Sequence, residues 1–87
     1  MSVQINSEKA NEIGAALVKS GYRQGFSLMQ VTGGFSGRPK VIISTVCRYP
    51  ESLLVVKIAL EVDKHAFLSF TNVKGIVGRF GALKQVD

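Results

Sequence analysis

The chain has 87 residues, which is enough for one domain with a modest core. Hydrophobic residues make up 46% of it and charged residues 20%, at a mean hydropathy of +0.22, which is more apolar than a small monomer needs. Uninterrupted apolar runs such as Leu53–Val56 are far short of the roughly 20 residues that span a bilayer. A net charge of +5 favours an anionic partner without distinguishing nucleic acid, membrane surface and phosphate ligand.

The first quarter of the chain predicts a strand followed by a helix. Apolar and polar residues alternate over Ser2–Asn6, which is the period of a half-buried strand. Ser7 is a favourable N-cap and Gly21 is a stop signal, so a helix is expected over about Ser7–Ser20. Small residues near its centre, among them Gly14, allow the helix to lie close against a sheet.

The remainder predicts three more strands and a second helix. The strands are expected over Phe26–Val31, Val41–Cys47 and Ala66–Val73. Pro50 suits the first position of a helix, which is expected to span about Pro50–Val62 and is apolar around more of its circumference than a surface helix requires. Beyond residue 74, glycines are interleaved with apolar residues, and this tail is expected to pack on the body or on a neighbouring subunit.

This order of elements predicts an α+β fold. Two right-handed βαβ crossovers joined by a hairpin give a ferredoxin-like split βαβ sandwich (βαββαβ), with a four-stranded antiparallel sheet and both helices on one face. The other sheet face lacks a cover, so we expect a second subunit or the tail to lie on it. Residues 1–87 are therefore expected to form a single domain that assembles as a homo-oligomer.

The connection between the second and third strands is the candidate binding site. Its glycines let successive backbone N–H groups converge on one point, and the hydroxyls and cations around them suit a small anion or a nucleotide. The candidate ligand-binding residues are Thr32, Gly33, Gly34, Phe35, Ser36, Gly37, Arg38 and Lys40. The alternative is a hairpin loop whose glycines serve turn geometry alone and whose cations keep a sheet edge soluble.

No pattern in the sequence indicates catalysis, a metal site or a cofactor. His65 has no second imidazole or thiolate to share a metal with, and Asp63-Lys64-His65 is typical of a polar turn after the second helix. The single cysteine, Cys47, excludes an internal disulfide and is expected to be a buried strand thiol. Because no nucleophile stands beside a base, we interpret the chain as a non-enzyme that holds neither metal nor cofactor.

Nucleic-acid binding is a further hypothesis, since RNA-recognition modules share this element order and the chain is basic. Those modules expose aromatic side chains on their first and third strands, where bases stack. Here the first strand offers Val3 and Ile5, and the third is a run of β-branched residues without a ring. The sequence therefore argues against nucleic acid as the partner.

Four short motifs follow one another along the chain, at Gly25–Leu28, Gly33–Gly37, Asp63–Phe67 and Val77–Phe80. In order and spacing they resemble the C-terminal cytosolic domain of YitT-type multi-pass bacterial membrane proteins, a domain of unknown function. The pattern of that family runs Gly-Val-Thr, Gly-Gly-Tyr-Thr-Gly, Asp-Pro-X-Ala-Phe and Val-X-Gly-X-Gly-Phe. The chain departs from it by Ser27 for threonine, Phe35-Ser36 for tyrosine and threonine, Lys64 for proline, and one glycine fewer before Phe80.

The resemblance implies a regulatory or small-ligand-sensing module, without catalysis, that is joined to the membrane-spanning part of the same protein. The 87 residues are then an excised piece of a longer chain, placed at the cytoplasmic face of the plasma membrane and soluble when isolated. Small-ligand regulatory domains of the ACT and PII-like kinds share the topology, which is an analogy of fold alone. The alternative is a pure oligomerisation module, whose loop, second helix and open sheet face only hold subunits together.

Overall fold

The structure is a computed structural model that describes residues 1–35 and 37–74. Six elements follow one another in the predicted order: β1 (Ser2–Asn6), α1 (Ala10–Lys19), β2 (Phe26–Thr32), β3 (Pro39–Val46), α2 (Tyr49–Val62) and β4 (Phe67–Thr71). Ser36 and the predicted tail lie outside the described residues. Among those described, no helix combines the length and the apolar character needed to cross a membrane.

The four strands form one antiparallel sheet in the order β2-β3-β1-β4. The first and third strands in sequence are thus the central ones, and Ile5 pairs with Ile43 on one side and Leu68 on the other. This strand order and the two helical connections confirm the predicted ferredoxin-like α+β fold.

The core lies on one face of this sheet. Val3, Ile5 and Ile43 point to that face and are fully buried. They share a single cluster with apolar residues of both helices, namely Ile13 and Leu17 of α1 and Val55, Ile58 and Ala59 of α2. Both helices therefore cover the same side of the sheet, because each contributes its buried stripe to the same core.

Glycine has a structural role at one position within α1 and at one position just after it. A Cβ atom at Gly14 would lie 3.3 Å from the Phe26 ring, so the small residue lets the helix pack closely on β2, as the sequence predicted. The helix ends at Lys19, and Gly21 follows with a φ of +83°, the left-handed conformation that glycine adopts without strain.

The helix α1 begins three residues later than the sequence predicted. Ser7 does not cap it at the first turn: its Oγ accepts a hydrogen bond from the Lys9 N–H at 2.9 Å, which closes a short turn before the helix. The first backbone bond of the helix then runs from Ile13 N–H to the Lys9 carbonyl. The Ser7 hydroxyl proton is donated to the Asp63 carboxylate, just after α2.

Strand ends also differ from the prediction, because partner strands set them. β3 begins at Pro39 and β2 continues to Thr32, since these two residues pair with each other. Pro39 is tolerated as the first strand residue because it lacks only one ladder donor there. β4 covers Phe67–Thr71 instead of the longer predicted span, because these five residues match the five of β1.

The second sheet face carries alternating polar and apolar rows. One row across all four strands is polar and consists of Ser27, Ser44, Gln4 and Ser69. The next row consists of Met29, Ile42, Asn6 and Phe67. No helix or strand of the described residues covers this face. On the other side of the sheet, α2 exposes Leu53, Leu54 and Leu60.

Candidate functional site

The hairpin formed by β2 and β3 projects beyond the rest of the sheet. β1 ends at Asn6, which lies opposite Ile42, so the strand residues before Ile42 have no partner on the β1 side. Residues 30–32 and 39–41 consequently pair only with each other. This two-stranded extension, which we call the overhang, ends in the glycine loop.

The loop uses part of its own backbone donors. The Gly33 N–H donates to the Arg38 carbonyl at 2.9 Å, and the Gly37 N–H donates to the Gly33 carbonyl at 2.8 Å. Gly37 has a φ of +70°, so turn geometry explains the glycine there. Two of the backbone N–H groups that were predicted to converge on an anion are therefore bonded within the loop. Fewer N–H groups can donate to an anion than the sequence predicted.

The predicted site residues fall into two groups. Arg38 and Lys40 line a cavity of about 470 Å³ at the base of the overhang, on the side of the β1–α1 connection. Thr32 belongs to β2, and Gly33, Gly34, Phe35 and Gly37 form the loop; none of these five lines that cavity. Phe35 is fully exposed at the tip, and Ser36 lies outside the described residues.

The cavity is lined by three separate stretches of the chain. Apart from Arg38 and Lys40, its residues are Asn6, Ser7, Glu8, Ala10, Asn11, Gln30, Pro39 and Val41. The lining residues thus include two cations, one carboxylate, three amides and a hydroxyl beside apolar residues. Such a set can hold an anionic group by charge and a polar group by hydrogen bonds.

Sequence reasoning missed the contribution of β1 and α1 to this site. Asn6 and Asn11 look like ordinary solvated residues, and Ser7 was predicted as a helix cap, so none of the three is marked by a local binding motif. The strand topology would have predicted this contact, since antiparallel pairing brings the end of β1 next to the start of β3. The β1–α1 connection and the cations after the glycine loop therefore meet at the same end of the sheet.

Ser7 connects this cavity to the end of α2. Its hydroxyl donates to Asp63 Oδ2 at 2.6 Å, and Asp63 Oδ1 accepts the His65 backbone N–H at 2.9 Å. The hydrogen bond from Ser7 and then that from the His65 backbone lower the pKa of the Asp63 carboxyl. The polar turn predicted at Asp63–His65 is present, and Asp63 also ties it to the cavity wall.

A different polar cluster lies toward the other end of the sheet. The Thr45 hydroxyl donates to the Gly25 carbonyl at 2.9 Å, so the Tyr22 hydroxyl donates to Thr45 Oγ1 at 2.7 Å. Burial raises the pKa of Tyr22. Cys47 is fully buried just after β3, and burial raises the pKa of its thiol, so it stays protonated and is a poor nucleophile.

The described part of the chain contains no group of three or more histidine, cysteine, aspartate or glutamate side chains that could hold a metal ion. The outward positions of the central strands β1 and β3 carry no aromatic ring, and Phe67 on the edge strand β4 is the aromatic residue exposed on that face. Base stacking of the kind used by RNA-recognition modules thus has no platform on these two strands.

Residues 24–78 match DUF2179, a family described as an uncharacterized protein conserved in bacteria. The match covers more than half of the 87 residues. The chain belongs to the DUF2179 family. The matched segment includes β2, the glycine loop, β3, α2 and β4, and therefore both cations of the cavity.

Relatives of this DUF2179 chain include longer proteins. It is 29% identical over 76 residues to an uncharacterized protein of Mycoplasma genitalium and 28% identical to the homolog in Mycoplasma pneumoniae. Each match covers 87% of this chain and 19% of the relative, so the chain spans about a fifth of the length of these curated relatives.

A solved structure supports the fold. The crystal structure of an uncharacterized DUF2179 protein from Eubacterium ventriosum aligns with a TM-score of 0.68 at 25% sequence identity. The alignment covers 78% of this chain and 92% of that one. The split βαβ arrangement is therefore shared within the DUF2179 family, whose description names no ligand or activity.

Proposed function

We propose that this DUF2179 domain is a non-catalytic sensing domain that binds a small anionic ligand at the base of the overhang. The observation that carries the proposal is the position of Arg38 and Lys40 on one cavity with the β1–α1 connection. A guanidinium and an ammonium group bind phosphate or carboxylate oxygens through charge-assisted hydrogen bonds. The cavity volume of about 470 Å³ lies within the range of sites for small molecules, about 300–1,000 Å³.

Ligand-dependent stabilisation tests this proposal. Inorganic pyrophosphate at about ten times its Kd should raise the unfolding temperature by about 8 °C, because a ligand that binds only the folded state shifts the equilibrium. The double variant Arg38→Ala, Lys40→Ala should lose this shift. All samples need matched ionic strength, since salt screens the same interaction.

The matched control is the double variant Lys19→Ala, Lys57→Ala. It removes the same charge from two exposed helix positions that do not line the cavity. It should keep the full pyrophosphate shift. Equal shifts in both double variants would overturn the proposal, because binding would then follow net charge instead of the cavity.

We further propose that the domain is the cytosolic part of a YitT-type membrane protein, at the cytoplasmic face of the plasma membrane. The motif resemblance supports this proposal, as do relatives about five times longer than the matched region. Sequencing the gene upstream tests it directly. Apolar spans of roughly 20 residues immediately before residue 1 are expected, and a start codon there would contradict the attachment.

A pure assembly role is the second candidate, and the outward side of α2 favours it. Leu53, Leu54 and Leu60 are exposed there by 55, 39 and 42%. Light scattering should show a homo-oligomer that Leu53→Gln, Leu60→Gln dissociates. An oligomer that no anion stabilises favours assembly over sensing, whereas a monomer removes the assembly role.

A further inference from the structure

The acidic residue in the cavity restricts what the anionic ligand is. Glu8 lines the same cavity as Arg38 and Lys40. A carboxylate repels a bare phosphate or pyrophosphate ion and accepts hydrogen bonds from O–H and N–H groups. The composition of the site therefore favours a ligand with an anionic end and a separate end that carries hydrogen-bond donors.

The amides and the apolar wall describe that second end more closely. Asn11 and Gln30 each offer both a donor and an acceptor, the mixed pattern that the edge of a nucleobase presents. Ala10, Pro39 and Val41 add apolar surface, which a flat ring covers better than a sugar does. A phosphate ion fills only a small part of the 470 Å³.

We infer that the ligand is a nucleoside phosphate, with its phosphate at Arg38 and Lys40 and its nucleoside toward Glu8 and the amides. The inference rests on the proposed anion site and adds the class of ligand. Glu8 then has a specific role, since it accepts from ribose hydroxyls or exocyclic amines. It selects nucleotides against simple anions that the two cations alone would also attract.

Calorimetric titration of the whole chain tests this inference. The ligands are the four ribonucleoside monophosphates, ribose 5-phosphate and pyrophosphate, at one ionic strength. At least one nucleotide should bind ten or more times tighter than ribose 5-phosphate and pyrophosphate. A five-nucleotide single-stranded RNA should bind no tighter per molecule than that nucleotide, which separates a free nucleotide from nucleic acid as its source.

Substitution of Glu8 gives the decisive second measurement. In Glu8→Gln the nucleotide should bind about tenfold more weakly, whereas pyrophosphate should bind equally well or better because a repelling charge is gone. The matched control is Glu12→Gln, which removes the same charge from an exposed position in the first turn of α1 outside the cavity. It should leave nucleotide affinity within twofold.

Three results overturn the inference, and they are distinguishable from failure of the anion site itself. In the first, pyrophosphate binds as tightly as every nucleotide, and its binding is lost in the Arg38→Ala, Lys40→Ala variant. The anion site is then retained, and a nucleotide is rejected as its ligand. Tighter binding of the RNA rejects the free nucleotide. If Glu8→Gln weakens nucleotide and pyrophosphate binding equally, Glu8 has a structural role and does not select the nucleotide. No binding of any anion rejects both proposals.

Discussion

The two ends of the β2–β3 hairpin are built in opposite ways. At the end near Gly25, the hairpin lies in a four-stranded sheet, and Thr45 closes a hydrogen-bonded chain between Tyr22 and a backbone carbonyl. In the overhang, residues 30–32 and 39–41 have only each other as strand partners. One end lies inside the sheet, whereas residues of the other line a cavity.

This difference separates the residues that hold the fold from those that line the cavity. Val3 and Ile43 are fully buried near the end of the hairpin that lies inside the four-stranded sheet. Arg38, Pro39 and Lys40 of the other end are exposed. Substitutions at the end inside the four-stranded sheet should therefore lower the free energy of unfolding. Substitutions in the overhang should change ligand binding with little effect on that free energy.

The largest expected effect comes from a matched pair of valines. Val3→Ala should lower the free energy of unfolding by about 2 kcal/mol, since each buried methyl is worth roughly 0.8 kcal/mol and the remaining cavity adds to the loss. Val31→Ala, at a half-buried position of the overhang, should cost well under about 1 kcal/mol. Urea unfolding of both variants checks this, and equal losses would remove the distinction between the two ends.

A matched pair of threonines should give a smaller difference. Thr45→Val removes the acceptor for Tyr22 and the donor for Gly25, so about 1 kcal/mol of stability should be lost. Thr32→Val, at the exposed end of β2, should be nearly neutral. Thermal unfolding measures both, and a neutral Thr45→Val would show that water replaces the internal bonds.

The smallest expected effect is a pH dependence at the junction between the cavity and α2. The pKa of Asp63 is lower in the folded protein than in the unfolded chain, where it is about 3.9. Its contribution to stability is therefore present above that unfolded value and is lost as the pH falls through the folded pKa. Asp63→Asn should make the free energy of unfolding fall less between pH 5 and pH 3.

Ser7→Ala should show an intermediate pH dependence, because it removes the hydrogen bond that lowers the Asp63 pKa most. The comparison uses urea unfolding at each pH. If the free energy of unfolding falls between pH 5 and pH 3 as much in both variants as in the unsubstituted protein, the Asp63 carboxylate does not stabilise the contact between Ser7 and the end of α2.

The element order was predictable from the sequence because periodicity and turn residues are local signals. Alternation over Ser2–Asn6 and the β-branched run around Ile43 each identify a strand without reference to the rest of the chain. Strand ends were less predictable. Thr32 and Pro39 lie in strands because they face each other, which a local pattern around either residue does not show.

The candidate site was predictable only in part for the same reason. Arg38 and Lys40 were identified because they follow a glycine-rich loop, and both line the cavity. Ser7 was identified as a helix cap, yet its hydroxyl donates to Asp63, which lies 56 residues away in sequence. Glu8 and Gln30 have no local motif, so only the three-dimensional arrangement connects them to the cations.

An amide chemical-shift titration of the labelled protein with a nucleoside monophosphate shows where the ligand binds. If the base of the overhang is the binding site, the largest shifts will fall on residues 6–11, Gln30 and Arg38–Val41, and the strand interior around Ile43 will stay unchanged. Shifts concentrated on the outer sheet face or on the exposed leucines of α2, or no shifts at millimolar ligand, would show that no nucleotide site lies at the base of the overhang.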